Sequence, residues 1–356
     1  MKIHFIISSL VAGGAERVLI LLANYFSTQG LDVTIITFNE PETFKPNENV
    51  KRIRLHKKGI KNHTVRYLTN LISYYRKKEN RPDIMIPFMT QTNFIAIIVS
   101  KIFFIKVISS EHNNHLKKTD LIGSLTKKYF YRYTDALTVL TKFDLDYYKK
   151  RKVNGFLMPN PCSFKIYKEK QRIRDKTILA VGDLNRYHHK GFDTLLKLIA
   201  PILKANSNWQ LKLVGSGDKG LKFLESLAEQ YNISKQVVFE GYSNNISELM
   251  RKSEIYIMTS RFEGLPMVLI EAMSQGMACI SFDCTTGPSD IIKHNINGIL
   301  VEDQNIVDMQ KELEQLIKYP ELRERLASMG SQSLDQFNIH SIYESYLDIF
   351  SKILKR

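Results

Sequence analysis

The sequence predicts an α/β protein of two doubly wound domains in series, each a parallel sheet with helices on both faces. Three observations carry this expectation. Short apolar runs alternate with longer segments of helical periodicity, the rhythm of βαβ units. The rhythm halts at 156–164, FLMPNPCSF, where Pro159 and Pro161 flank Asn160 in a stiff, non-helical joint, and then starts afresh. The length, 356 residues, exceeds what one hydrophobic core usually serves.

IHFIIS (3–8) and DVTIITF (32–38) are apolar and β-branched on both faces, as a strand covered by helices from both sides must be. Between them, 14–29 has helical periodicity. By the same reasoning 51–55, 83–88, 106–110 and 136–140 are strands, and 63–79, 91–103 and 120–132 are helices. Beyond the joint and the charged run KEKQRIRDK, strands are expected at 177–182, 209–215, 236–241, 254–260 and 278–282. Helices are expected at 192–204, 219–231, 245–252 and 266–275. The last segment, 336–356, is amphipathic through Phe337, Ile342, Tyr346, Ile349, Phe350 and Ile353, and should pack back on the first domain. The domains are therefore 1–160 joined by 336–356, and 161–335. In such sheets ligands bind in the crevice outside the carboxyl ends of the strands.

Composition narrows the class. Apolar residues make up 44% and charged residues 24%, which excludes disordered and fibrous chains. Cys162, Cys279 and Cys284, odd in number and without metal-ligand spacing, argue against a disulfide framework or zinc site and fit a reducing compartment. The apolar N-terminus reads as a first buried strand rather than a signal peptide. The apolar stretch 84–110 is broken by Pro87, Lys101 and Lys106, so it reads as strand, helix and strand rather than as a membrane span.

The net charge of +15 is one-sided. Residues 1–160 hold 26 Lys and Arg against 12 Asp and Glu; residues 161–356 hold 25 against 24. Such an excess attracts nucleic acid, acidic lipid or phosphorylated substrate. It concentrates in 51–81 and 117–152. The segment 116–133 mixes Lys117, Lys118, Lys127, Lys128 and Arg132 with Leu121, Ile122, Leu125, Tyr129, Phe130 and Tyr131. A helix of that kind lies on anionic lipid, or else is simply a solvated face. No nucleic-acid-binding module is recognisable, and nucleic acid is not an expected partner.

The densest motif is Arg261-Phe262-Glu263-Gly264-Leu265-Pro266 running into Met267–Met273. A strand ends, a loop presents Glu263 and Gly264, and Pro266 opens a helix whose free N–H groups suit a phosphate. Glu271 follows about two turns down the helix. Read as a spacing, Glu-x7-Glu after a buried strand resembles the signature of retaining glycosyltransferases of family 4, which have the two-domain GT-B fold with the active site between the domains. The resemblance implies that Glu263 contacts the transferred sugar and Glu271 the ribose, with Gly264, Leu265 and Pro266 lining the donor site. VGDLNRYHHKGFDTLL (181–196) is similar to the family's phosphate loop, and places Lys190 on the lysine that neutralises the diphosphate. Asp183 stands where the family usually has arginine, and Arg186 is the substitute cation.

Gly215 and Gly217 in VGSGD either let backbone approach the nucleotide or form an ordinary turn. Tyr242 in EGYSNN either meets the base or is a plain surface or core tyrosine. Asp290 in TTGPSDII either belongs to the last donor-side loop or caps a helix. In the first domain, Gly13 and Gly14 in VAGGAERV permit a tight turn with N–H groups directed at donor phosphates. His112 in SSEHNNH matches a family histidine near the transferred sugar, although a histidine at a strand end is also a common structural feature.

The resemblance covers almost the whole chain and implies a metal-independent, retaining transferase. It would move a hexose or N-acetylhexosamine from a nucleotide-diphosphate sugar, UDP-linked by preference, to a glycan or lipid-diphosphate-linked acceptor of a capsule or other cell-surface polysaccharide. A GDP-sugar enzyme and a catalytically silent partner subunit are the alternatives. No metal or other cofactor is expected. The expected location is cytoplasmic, peripheral on an anionic membrane surface.

Overall fold

The structure is a computed structural model that describes residues 1–11, 13–40, 42–56, 59–167 and 173–355. The chain divides into two compact units, Met1–Pro161 with Phe337–Arg356, and Cys162–Gln336.

In the first unit the strands are β1 (Lys2–Ile6), β2 (Asp32–Thr37), β3 (Lys51–Arg54), β4 (Ile84–Pro87), β5 (Lys106–Glu111), β6 (Ala136–Val139) and β7 (Gly155–Leu157). They form one parallel sheet in the order β3-β2-β1-β4-β5-β6-β7. Helices α1 (Gly14–Thr28), α2 (His63–Tyr75), α3 (Thr90–Phe103), α4 (Leu121–Lys128) and α5 (Lys142–Lys149) connect them. Burial explains why β1 and β2 lack an alternating pattern. Ile3, Phe5 and Ile7 join a core with α1 on one face, while Ile6 and Ile36 join a core with α2 and α3 on the other.

In the second unit β8 (Asp175–Val181), β9 (Gln210–Val214), β10 (Val237–Gly241), β11 (Ser253–Met258), β12 (Ala278–Asp283) and β13 (Ile299–Glu302) form a parallel sheet in the order β10-β9-β8-β11-β12-β13. Its helices are α6 (Tyr187–Lys190), α7 (Phe192–Ala205), α8 (Asp218–Gln230), α9 (Ile246–Lys252), α10 (Met267–Ser274), α11 (Pro288–Ile291), α12 (Ile306–Lys318) and α13 (Pro320–Gln332). The final helix, α14 (Ile339–Leu354), belongs to the first unit. There Phe26 of α1 meets Tyr343, Tyr346 and Phe350 edge-on, with ring centroids 5.1, 5.5 and 6.1 Å away.

Several elements differ from the sequence reading. The rhythm of the first unit continues through α5 and β7 before the proline joint. These were hidden because α5 buries little beyond Asp144 and Tyr148 and β7 has only three residues. The helix expected over 63–79 ends at Tyr75, and that over 120–132 ends at Lys128; short 3₁₀ turns cover Lys78–Asn80 and Phe130–Tyr133. Polar α12 and α13, with a narrow apolar stripe each, occupy a region left unassigned.

Both sheets reverse strand order at one point, between β1 and β4 and between β8 and β11. Connections leaving neighbouring parallel strands in opposite directions open a crevice there, which sets where each unit can hold a ligand.

Candidate active site

At the reversal of the second sheet, the segment after β8 runs through a 3₁₀ turn (Leu184–Arg186) and α6 to Lys190; the loop after β11 runs through Ser260 to Glu263. Lys190 Nζ lies 2.8 Å from Glu263 Oε1, and Ser260 Oγ donates to the same oxygen at 2.7 Å. Both charged side chains are largely covered, at 20% and 12% exposure. Thr286, following β12, donates through its hydroxyl to the Glu263 carbonyl, so a third strand end fixes this backbone.

The two loops are also bound together directly. The Arg261 guanidinium grips Asp193 bidentately at 2.8 and 3.1 Å, and reaches Thr194 Oγ1 at 2.8 Å and the His188 carbonyl. Arg261 N–H donates to the His189 carbonyl at 2.9 Å, and Thr259 Oγ1 donates to the Gly191 carbonyl at 2.9 Å. Gly191 has φ +68, and a Cβ there would fall 1.8 Å from the Thr259 carbonyl oxygen. Only glycine permits this approach.

Glu271 is 2% exposed on α10. The helix starts at Met267 with Pro266 as its N-cap residue, so Pro266 stands one place earlier than expected and Glu271 lies little more than one turn down, not two. Burial first, then Glu263, Cys279 and Glu271, push the Tyr256 hydroxyl well above its ordinary range. Gly264 and Pro266 pack beneath Gly287, whose Cβ would fall 2.4 Å from the Gly264 carbonyl oxygen, and Leu265 is buried. Asp290 lies in the first turn of the short helix α11.

The strand ends on the other side are joined in sequence. Gly182 N–H donates to the Val214 carbonyl and Gly215 N–H to the Gly241 carbonyl, both at 2.9 Å. Gly215 (φ +154) and Gly217 (φ +138) follow β9, and a Cβ on Gly215 would fall 1.8 Å from the Gly182 carbonyl oxygen. Tyr242, beyond Gly241, is 74% exposed, so it is a surface rather than a core tyrosine. The Asp183 carboxylate accepts from Asn185 N–H at 2.9 Å and caps the 3₁₀ turn, while exposed Arg186 sits one turn before Lys190.

In the first unit, Gly13 is the extended N-cap residue of α1 and Gly14 its first residue. Neither has left-handed backbone, so the turn into α1 does not depend on that property of glycine. The Glu16 carboxylate lies over Gly13, and burial raises its pKa. His112 follows β5. Its ring stacks on Phe88 at 4.5 Å between centroids, and its Nε2 is 3.0 Å from Ser110 Oγ. Among the described residues Nδ1 is buried without a partner, and burial lowers the imidazole pKa to about 4. The side chain is therefore neutral near pH 7.

Residues 12–160 match the family model described as Glycosyltransferase Family 4, and residues 163–333 match that for Glycosyl transferases group 1. A GalNAc-α-(1→4)-GalNAc-α-(1→3)-diNAcBac-PP-undecaprenol α-1,4-N-acetyl-D-galactosaminyltransferase of Campylobacter jejuni is 32% identical over 99% of this chain and 99% of its own. The chain is a family 4 glycosyltransferase. The amylovoran biosynthesis glycosyltransferase AmsD of Erwinia amylovora is 31% identical over 96% of both chains. Among solved structures, Anabaena HepE in complex with UDP superposes with TM-score 0.82 at 16% identity, over 99% of this chain and 100% of that one. This family 4 glycosyltransferase thus has the GT-B type of architecture, two Rossmann-like units.

Within the glycosyltransferase, the sequence reading missed Arg261. Its signal was present, since Arg261 and Asp193 both lie inside the motifs, but their pairing across 68 residues is visible only in the fold. Among the described residues, no group of three or more His, Cys, Asp or Glu is arranged to hold a metal ion.

Proposed function

We propose that this glycosyltransferase is a retaining, metal-independent enzyme. It moves a hexose or N-acetylhexosamine from a UDP-linked donor to a glycan or lipid-diphosphate-linked acceptor in cell-surface polysaccharide synthesis. The observation that carries the reading is the Lys190–Glu263 pair at the strand-order reversal of the second unit. A sugar diphosphate needs a cation where negative charge develops on the leaving nucleotide, and an acceptor group at the sugar hydroxyls; this pair supplies both on adjacent loops. The relatives give the direction for substrates: the Campylobacter enzyme's name specifies a PP-undecaprenol acceptor, and the Anabaena structure holds UDP.

In this mechanism the acceptor hydroxyl attacks on the face the nucleotide leaves, and a donor phosphate oxygen takes its proton. Lys190 offsets the charge of the departing diphosphate, with Arg186 one turn away as a second cation. Glu263 and Glu271 orient the sugar and the ribose. The protein's work is positioning and electrostatic stabilisation rather than covalent chemistry. Among the described residues no helix is long and apolar enough to cross a membrane, and the basic first unit supports a peripheral location on an anionic cytoplasmic surface.

A thermal-shift screen of UDP-, GDP- and dTDP-sugars with EDTA present tests the donor and the metal together. A UDP-sugar at 100 times its Kd should add about 2.7 kcal/mol of stability. A shift only with GDP-sugars, or only with divalent metal restored, would overturn that part of the reading. The anomeric configuration of the product, read by proton NMR, decides retention.

A further inference from the structure

Side chains alternate between the two faces of β5 as it runs towards His112. Ile108 and Ser110 of β5 pair in register with Ala136 and Thr138 of β6, and Ile108 and Ala136 join the core that α14 covers. Ser110 and Thr138 therefore lie on the α14 face, and both are buried. Glu111 lies on the opposite face. Its carboxylate accepts from Thr90 Oγ1 at 2.7 Å, from the Tyr131 hydroxyl at 2.6 Å and from Asn113 N–H at 3.1 Å. Among the described residues, no carboxylate is hydrogen-bonded to the His112 ring, so hydroxyl groups alone orient it.

A neutral imidazole carries a proton on one ring nitrogen and a lone pair on the other, and the hydrogen bond made at one decides the state of the other. At Nε2 the contact is the Ser110 hydroxyl, 3.0 Å away. Ser110 has a single proton to give. Thr138 Oγ1 donates to the Ser110 oxygen at 3.1 Å, whereas the other acceptor open to Thr138, the Ser109 carbonyl, is 3.5 Å away, at the limit of a hydrogen bond. From α14 the Tyr346 hydroxyl interacts with both oxygens; burial pushes its pKa up to about 12, so it keeps its proton and is a second donor to the pair. With its oxygen accepting, Ser110 turns its proton towards Nε2. Nε2 then accepts, and the ring proton sits on Nδ1, the atom that is buried without a partner among the described residues. Phe88, stacked at 4.5 Å, holds the plane of the ring.

We propose that Thr138 and Ser110 are positioning residues that hold His112 in its Nδ1–H tautomer, so that Nδ1 donates a hydrogen bond to an oxygen of the bound sugar. A buried N–H without an acceptor is costly, and a sugar oxygen arriving at Nδ1 removes that cost. The opposite tautomer would present a lone pair to the same oxygen and repel it. That donor role rests on the reading of His112 as the group beside the transferred sugar. The tautomer itself is a property of the free protein and can be measured without turnover.

Nitrogen NMR of the full chain, labelled at the histidine rings, reads the tautomer, with the His112 signals assigned by their loss in His112→Asn. At pH 7 Nδ1 should resonate as a protonated nitrogen and Nε2 as an unprotonated one. Thr138→Val keeps the branched shape and removes the hydroxyl; Thr138→Ser keeps the hydroxyl and removes the methyl group. In Thr138→Val the Nε2–H tautomer should appear, and kcat/KM for transfer should fall by the factor that the Nδ1–H population loses, about fivefold to tenfold. Thr138→Ser should keep the parent's tautomer and rate. A packing role alone gives the reverse order, with serine the worse substitute. An Nε2–H tautomer in the parent, or an unchanged Nδ1–H tautomer in Thr138→Val, would overturn the proposal. A tautomer that shifts with no loss of transfer would overturn Nδ1 as the donor to the sugar. A parent that transfers from no nucleotide sugar, while its tautomer responds as described, sinks the transferase reading and leaves the hold of Thr138 and Ser110 on His112 standing.

Discussion

Lys190 and Glu263 lie 73 residues apart in sequence and meet at 2.8 Å. Each is delivered by the connection leaving one of the two strands, β8 and β11, between which the second sheet reverses its order. The contact therefore follows from topology. Wherever β8 and β11 are neighbours, their carboxyl-end loops share an edge, and Arg261, Asp193 and Gly191 lock those loops at fixed separation. The pair has enough water contact to exchange partners, since neither side chain is sealed from solvent.

Removing the cation should uncouple activity from stability. A partly solvated pair contributes roughly 0–1 kcal/mol, so Lys190→Ala should melt within a few degrees of the parent. Transfer should fall at least about a hundredfold, because the lost stabilisation acts where charge develops on the leaving group. Activity within threefold of the parent would remove Lys190 from the mechanism.

Glu271 calls for a different substitution, because it is buried. Glu271→Ala would leave a cavity and confuse folding with binding. Glu271→Gln keeps the shape. If Glu271 holds the ribose, this variant should melt near the parent and bind UDP about tenfold more weakly by calorimetry. An unchanged UDP affinity would make Glu271 a structural carboxylate.

Two glycines should tolerate no side chain. Gly191→Ala and Gly215→Ala would each place a methyl group 1.8 Å from a carbonyl oxygen of a neighbouring loop. At Gly191 the left-handed backbone alone costs about 1–2 kcal/mol, and relief of the overlap requires moving the loop. Both variants should melt at least about 5 °C lower. Gly14→Ala, with open space around its Cβ position, should be nearly neutral. The contrast is read by differential scanning fluorimetry, and equal behaviour of the three would contradict the loop packing.

The same distinction explains what was legible in the sequence. Central strands such as β1, β2 and β8 bury both faces, so their apolar runs are unbroken and easily seen. Elements that bury one narrow stripe, α12 and α13, or three residues, β7, carry too little pattern. Lys190, Glu263 and Glu271 were recognisable because they lie in contiguous motifs. The Arg261–Asp193 clamp was not, because a pairing between two loops has no local spacing. Tyr242 shows the converse: the motif was visible, but only the fold shows that it is a surface residue.

Acid should weaken the first unit before it touches the carboxylates. Burial holds His112 down to about 4, and burial together with Lys2 holds His4 down to about 3. Both are lowered from an unfolded value near 6.5, so between pH 6.5 and 4 the unfolded chain binds protons that the folded chain refuses. Stability is thus full above pH 6.5 and falls as pH drops, by roughly 2 kcal/mol for each histidine at pH 5. Urea midpoints at pH 7.5, 6 and 5 measure this slope, and His112→Asn should remove about half of it. A flat stability between pH 7.5 and 5 would mean that the two imidazoles are solvated. The same shift keeps His112 uncharged during transfer, so the pH–rate profile should show no ionisation near 6.5 assignable to it: a limb there that disappears in His112→Asn would make it a titrating acid rather than a neutral hydrogen-bonding group.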